Sequence, residues 1–297
     1  MEITTSLRIL LSETIDYAGL FPPAKLSMKD SVSNYARYKR GPYSWMLSRF
    51  IVPSSRFEEF LDEAESVVSD CDKPWQISMI LDEDIETSIK KARRLNQQES
   101  LFKCDVFEIR VESVWAIEEV SETIPDDFTI YFEIPVEENL TELVSSISLY
   151  KRRAKIRTGG VTKDAFPTAD QIVKFMRACL AANVPFKATA GLHHPLRSEN
   201  RLTYEPDAPV GKMFGFLNVF VAAAFARNSL RPSLLLQILE EETLDNFTFA
   251  EDGIYWRQEH FVDNWHLREL REKAIISFGS CSFEEPVEGL RKLRLIE

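Results

Sequence analysis

Two short stretches carry residue types from which amine chemistry can be built. Lys155-Ile-Arg-Thr-Gly-Gly160 and Phe186-Lys-Ala-Thr-Ala-Gly-Leu-His-His194 each read as a β-strand that carries a lysine and then breaks at glycine. Desolvating an ammonium is expensive, so a lysine enters a protein interior only where it is paired or gives up its proton. Lys155 and Lys187 on successive strands point to a Schiff base. Adjacent strands lie about 4.8 Å apart, so inward amines at similar height feel each other strongly. A like charge at that range disfavours protonation of one amine and makes it nucleophilic near neutral pH. Attack on a carbonyl then gives an iminium that accepts electrons from a breaking C–C or C–H bond.

That chemistry needs proton carriers and a grip on the substrate. Alternate residues of a strand share a face. Lys155 therefore sits with Arg157, and Lys187 with Thr189 and, if the strand runs on, with His193. Glu108, Arg110 and Glu112 alternate with Ile109 and Val111, and Tyr131 and Glu133 alternate with Phe132 and Ile134, while Asp16 lies on an earlier strand. The charged members are expected inward, either as a structural ion-pair network or as a site. Glu108 is the candidate relay, a role worth about 10²–10⁴ in rate. Arg157 either grips a carboxylate or phosphate through its planar fork or pairs with Glu133 or Glu108. Only one of the neighbours His193 and His194 is expected to enter the site. Asn218 reads as a helix-start cap or, less favoured, as a polar reader on the insertion, and Glu284-Glu285-Pro286 as the start of the last helix. Ser280 and Ser282 lie outside any Gly-x-Ser-x-Gly elbow and read as turn residues.

Eight apolar, β-branched segments must position these groups: Thr14–Leu20, Trp45–Val52, Trp75–Leu81, Val106–Glu112, Phe128–Val136, Ala154–Thr158, Phe186–Leu192 and Ala274–Ser280. Between them run amphipathic patterns such as Ser27–Lys39, Ser55–Ser69, Ile85–Asn96, Leu140–Lys151, Thr168–Ala182 and Glu285–Leu293. Eight strand-helix repeats imply a parallel sheet closed into a (β/α)8 TIM barrel in the α/β class, one domain over residues 1–297. The open doubly wound sheet is disfavoured, because no Gly-rich dinucleotide turn follows the first strand. About eighty residues separate the last two strands, with helical patterns at Phe214–Ala226 and Ser233–Glu241 and an aromatic passage at Phe247–Trp256. This long helical insertion between strands 7 and 8, about 195–273, is expected to form a lid or subdomain over the strand C-terminal ends.

At this point the strands resemble the deoxyribose-phosphate aldolase type of class I aldolase barrel. That family has a Schiff-base lysine in Lys-Thr-Ser-Thr-Gly, partly matched by Lys155-Ile-Arg-Thr-Gly159, and a second lysine in Lys-Ala-Ser-Gly-Gly, similar to Lys187-Ala-Thr-Ala-Gly191. Its Ala-Asp-Glu-Ile pattern precedes a catalytic aspartate, where Cys104-Asp-Val-Phe107 leads here to Glu108. Ile15-Asp16 matches its first strand, and Phe278-Gly-Ser-Cys-Ser-Phe283 echoes its phosphate turn. The resemblance implies Lys155 as nucleophile, Lys187 as its pKa-lowering neighbour and Glu108 as proton shuttle; Asp16 and His193 join the candidate catalytic set from their own places in the sequence. Arg157, Arg110, Glu133, Thr158, Gly159, Gly160, Gly191, His194, Gly279 and Ser280 would bind substrate, with Gly279 and Ser280 holding an anion. Arg157 and Glu108 replace other residue types, and the insertion and His193-His194 have no counterpart in the family.

The chain has 297 residues, 44% hydrophobic and 28% charged, with a formal charge of -11. That charge argues against nucleic acid and anionic membranes as partners. Four cysteines (Cys71, Cys104, Cys179, Cys281) form no CxxC pair and read as reduced thiols rather than disulfides or a zinc site. The start lacks a signal-peptide pattern and the longest apolar run is too short to span a bilayer, so the expected setting is cytoplasmic. The expected activity is a Schiff-base, aldolase-like lyase on a small anionic carbonyl metabolite, without cofactor or metal. A homo-oligomer is compatible with this reading. One rival is a metal-dependent barrel isomerase or hydrolase using Glu108, Glu133 and His193 or His194, weakened by the lack of HExxH and of His-x-His on the first strand. The other is a non-catalytic barrel that binds a metabolite or partner through the aromatic insertion.

Overall fold

The computed structural model describes residues 3–68, 74–82, 84–98 and 101–297. Cys71 and the Ser69 end of one expected helix lie outside the described residues. Eight parallel strands close on themselves in the order β1-β13-β7-β6-β5-β4-β3-β2. They are β1 Ile15–Tyr17, β2 Leu47–Pro53, β3 Trp75–Ile80, β4 Phe102–Arg110, β5 Thr129–Glu133, β6 Arg153–Arg157, β7 Phe186–Thr189 and β13 Ile275–Ser280. Helices α1 Thr5–Leu11, α2 Met28–Lys39, α3 Phe57–Glu65, α4 Ile85–Gln98, α5 Val114–Thr123, α6 Leu140–Leu149, α7 Ala169–Ala181 and α11 Glu284–Lys292 belong to this frame.

The strand sequences explain the two faces. In β6, Ala154 and Ile156 turn outward into buried apolar surroundings, while Lys155 turns inward; Phe132 and Glu133 divide in the same way in β5. Side-chain caps start several helices where polar residues meet the first turn. Ser27 accepts from the Asp30 amide, Ser113 from Ala116, and Thr168 forms a reciprocal capping box with Gln171. Each such cap contributes on the order of 1 kcal/mol.

The segment between β7 and β13 is not purely helical. It holds a hairpin (β8 Ser198–Arg201, β9 Val210–Met213), helices α8 Phe216–Arg227 and α9 Pro232–Glu240, a three-stranded antiparallel sheet (β10 Phe247–Phe249, β11 Gly253–Trp256, β12 His260–Asp263), and α10 Asn264–Lys273. Helix α8 lies against the barrel, where Phe216 stacks on Phe278 with ring centroids 5.0 Å apart. The small sheet reaches α1 through the Ser6 amide, which donates to the Ala250 carbonyl. Asn218, expected as a cap, is wholly buried: its amide group donates to Ile238 and Glu241 carbonyls, and its oxygen accepts from the Arg197 amide. No helix among the described residues is long and apolar enough to cross a membrane.

Candidate active site

The register settles which side chains meet. Lys155 and Lys187 are direct partners across β6 and β7, and Glu133 is the partner of Lys155 across β5 and β6. Partners in a parallel pair point to the same side, here the barrel axis. Lys155, Lys187 and Glu108 are 5%, 2% and 2% exposed, so their charges meet one another rather than water.

Glu108 is the hub. One of its oxygens accepts from Lys155 Nζ at 2.9 Å and the other from Lys187 Nζ at 2.5 Å, the latter also receiving the Ser78 hydroxyl at 2.6 Å. Lys155 Nζ continues to Glu133 Oε2 at 2.8 Å, and Arg157 Nε donates to Glu133 Oε1 at 3.0 Å. Lys187 Nζ continues to Asp16 Oδ2 at 2.9 Å, which also accepts from Ser277 Oγ at 2.6 Å. The Lys187 ammonium lies 4.9 Å from the centre of the Tyr131 ring, close enough for a cation–π contact.

These pairings correct the expected electrostatics. Burial favours the neutral acid at Glu108, yet the ammonium groups of Lys155 and Lys187 outweigh it and hold the carboxyl far below its usual range. Burial likewise opposes charge on Lys187, but Asp16 and then Glu108 outweigh it and raise its pKa. Mutual depression between two bare ammonium groups is therefore not the state of Lys187, because the chain supplies a carboxylate on each side of it. Lys187 is a held cation.

Above this network opens a cavity of about 320 Å³ at the C-terminal ends of the strands. Lys155, Lys187, Glu108 and Arg157 reach it, as do Gly160, Gly191, His193, His194 and Gly279. Asp16 and Glu133 stand behind the lysines and do not line it. Three expected binding residues have other tasks. Arg110 is exposed over the rim and pairs with Glu112 at 2.9 Å, because β4 ends there. Thr158 Oγ1 donates to the Ala190 carbonyl at 2.6 Å, and Ser280 Oγ donates to the Ser282 carbonyl at 2.6 Å, so both hydroxyls tie loops together. Gly159 packs under Phe166 and against Gly191.

Glu285, expected to be only a helix start, faces the cavity and meets His193 Nδ1 at 2.9 Å. Cys281 Sγ lies 4.0 Å from the same nitrogen, and the Tyr204 hydroxyl is 3.7 Å from that sulfur. Burial opposes charge on His193, but hydrogen bonds to Cys281 and Glu285 raise its pKa to about 10. Burial and then the His193 charge hold His194 below the ordinary histidine value. Both histidines reach the cavity, where only one was expected, because Ala190 and Gly191 adopt positive φ (60° and 74°) and end the strand alternation before them. Tyr204 and Arg201 come from the β8–β9 hairpin, the part of the 195–273 segment that covers the cavity; β10–β12 contribute nothing to its lining. A short, polar hairpin inside a long connection leaves little trace in a strand-helix pattern, which is why Arg201 and Tyr204 escaped sequence reasoning.

The ligands of the metal-dependent reading are not gathered. Glu108 and Glu133 hold Lys155 while His193 pairs with Glu285, and among the described residues no group of three or more His, Cys, Asp or Glu side chains is placed to bind a metal ion.

Gly191 is where the rim depends on glycine. Its φ of +74° is costly for a residue with a side chain, and a Cβ there would stand 3.0 Å from Gly159 Cα and 3.2 Å from the Thr158 carbonyl oxygen. Gly191→Ala is expected to lower unfolding free energy by about 2 kcal/mol or more, read from the urea midpoint. An unchanged midpoint would mean that the two loops can move apart.

No protein-family model matches the chain, and neither a curated protein nor a solved structure is similar enough to be matched to it.

Proposed function

We propose that the protein is a Schiff-base lyase of aldolase type, with Lys155 as nucleophile, acting on a small anionic β-hydroxy carbonyl compound. One observation carries the reading: two buried ammonium groups from adjacent strands share the single carboxylate of Glu108 at the floor of an open cavity. Structural ion pairs inside a barrel need no such opening, and a reactive amine does.

Lys187 is fixed between Asp16 and Glu108 and serves as a positioning charge. Lys155 is held as closely, by Glu108 and Glu133, and is assigned the nucleophile's part on its place in the Lys155-Ile-Arg-Thr-Gly159 motif. Once deprotonated, it adds to the substrate carbonyl, and loss of water gives the iminium. A proton leaves the β-hydroxyl toward Glu108 or a water held by it, the C–C bond breaks, and an aldehyde departs while the electrons settle in an enamine. Protonation of the enamine carbon and hydrolysis by one water return the second carbonyl product and the free amine.

Borohydride reduction in the presence of a carbonyl substrate is expected to fix a covalent adduct, located on Lys155 by peptide mass mapping. An adduct that persists at the same level in Lys155→Ala would overturn the assignment.

A further inference from the structure

The cavity has two chemically different sides. Every lining residue supplied by β1 to β3 and their loops is apolar among the described residues: Ala18, Phe21, Pro22, Pro23, Ile51 and Ile80. Ile80 is the register partner of Glu108, which places this apolar wall beside the proton relay rather than at a remote rim. On the opposite arc, β6, β7 and the β8–β9 hairpin bring Arg157, His193, His194 and Arg201. Arg157 is engaged by Glu133 and His193 by Glu285, whereas Arg201 has no carboxylate partner among the described residues. One cation facing the cavity is thus left for a ligand.

From this division we infer the substrate class: an anionic head bound on the Arg201 side, a carbonyl over Lys155, and a short hydrocarbon arm lying on Phe21, Ile51 and Ile80. The inference rests on the Schiff-base reading and adds what that reading leaves open, that the departing aldehyde is an alkyl aldehyde and not a polyol. A hydroxylated arm would bury each hydroxyl against side chains that offer no donor or acceptor, and an unpaired buried hydroxyl is penalised. A hydrocarbon arm gains from leaving water on the same wall. Bond changes are those of the retro-aldol already given, with the arm on the aldehyde product.

The test uses two six-carbon α-keto acids that share the hydroxyl β to the ketone. The last two carbons are bare in one and hydroxylated in the other, and both release pyruvate. A second pair carries a CH2–OPO3 group in place of the carboxylate, which keeps the ketone and identifies the head group separately. The alkyl member is expected to show a kcat/KM about 10- to 100-fold above its hydroxylated partner in whichever pair turns over. Ile80→Thr and Phe21→Ser, at separate points of the wall, are each expected to narrow that ratio. Equal or reversed preference, with borohydride trapping at Lys155 intact, would overturn the hydrocarbon arm and leave the Schiff base standing. Failure to trap any of the four compounds at Lys155 would remove both.

Discussion

Glu108→Gln is expected to weaken the fold by about 3–5 kcal/mol and to slow carbonyl chemistry by about 10²–10⁴. Removing the charge leaves two buried ammonium groups where one carboxylate had served both. Lys187 keeps Asp16 and Lys155 keeps Glu133, but neither pairing was built to carry its cation alone. An amide can accept from one lysine and presents its NH2 to the other, which is the wrong polarity. The stability effect is read from urea unfolding and the rate effect from single turnovers. Adding Lys187→Met to Glu108→Gln separates the two: removing the surplus cation should recover part of the stability and none of the rate. A Glu108→Gln midpoint within about 0.5 kcal/mol of the parent would mean that the network is not needed to hold the barrel.

The second large effect is on pH dependence. The His193 pKa is raised from 6.5 to about 10, a shift worth no more than about 5 kcal/mol. Because the folded value lies above the unfolded one, that stability is fully present below about pH 6.5 and is lost as pH rises through about 10. Unfolding free energy should therefore fall steadily between these limits. Glu285→Gln removes the closest fixed charge and should flatten the slope, with the loss appearing already at neutral pH. Glu108 acts at the other end. Its folded value is depressed, so its contribution is present above the ordinary carboxylate range and fades only as pH falls well below it. A parent protein whose stability is flat from pH 7 to 10 would contradict the His193–Glu285 assignment.

The barrel was legible because strand and helix patterns take turns along the chain, and because charged and apolar residues alternate in β5 and β6. β6 could be placed from Ala154 and Ile156 flanking Lys155, and the eight barrel strands lie where the pattern predicts, with ends differing by a few residues. β4 starts earlier than expected because Lys103 and Asp105 disguise its first turns as loop; Asp105 is satisfied by Arg49 at 2.7 Å and Lys103 at 3.1 Å. Lys155, Lys187 and Glu108 were legible as a set for the same reason, since parity along a strand fixes the side of each residue. Their charge state was not. Parity says which groups share a volume, whereas the pKa depends on Ser78, Asp16 and the distances between them. Arg110 has the right parity but lies beyond the barrel wall, and parity carries no information about height. Glu285, Tyr204 and Arg201 belong to loops, where position follows from tertiary contacts rather than from period.

The inward charges are divided unevenly along the chain. Cut between β4 and β5, the barrel yields a first portion holding Asp16 and Glu108 and a second holding Lys155 and Lys187, with Glu133 the lone acid among them. Neither half-barrel could close around its own interior without stranding charge of mostly one sign. Duplicated and fused half-barrels with matching insides are thus closed to this sequence: its two portions are complements, and each is the other's counterion.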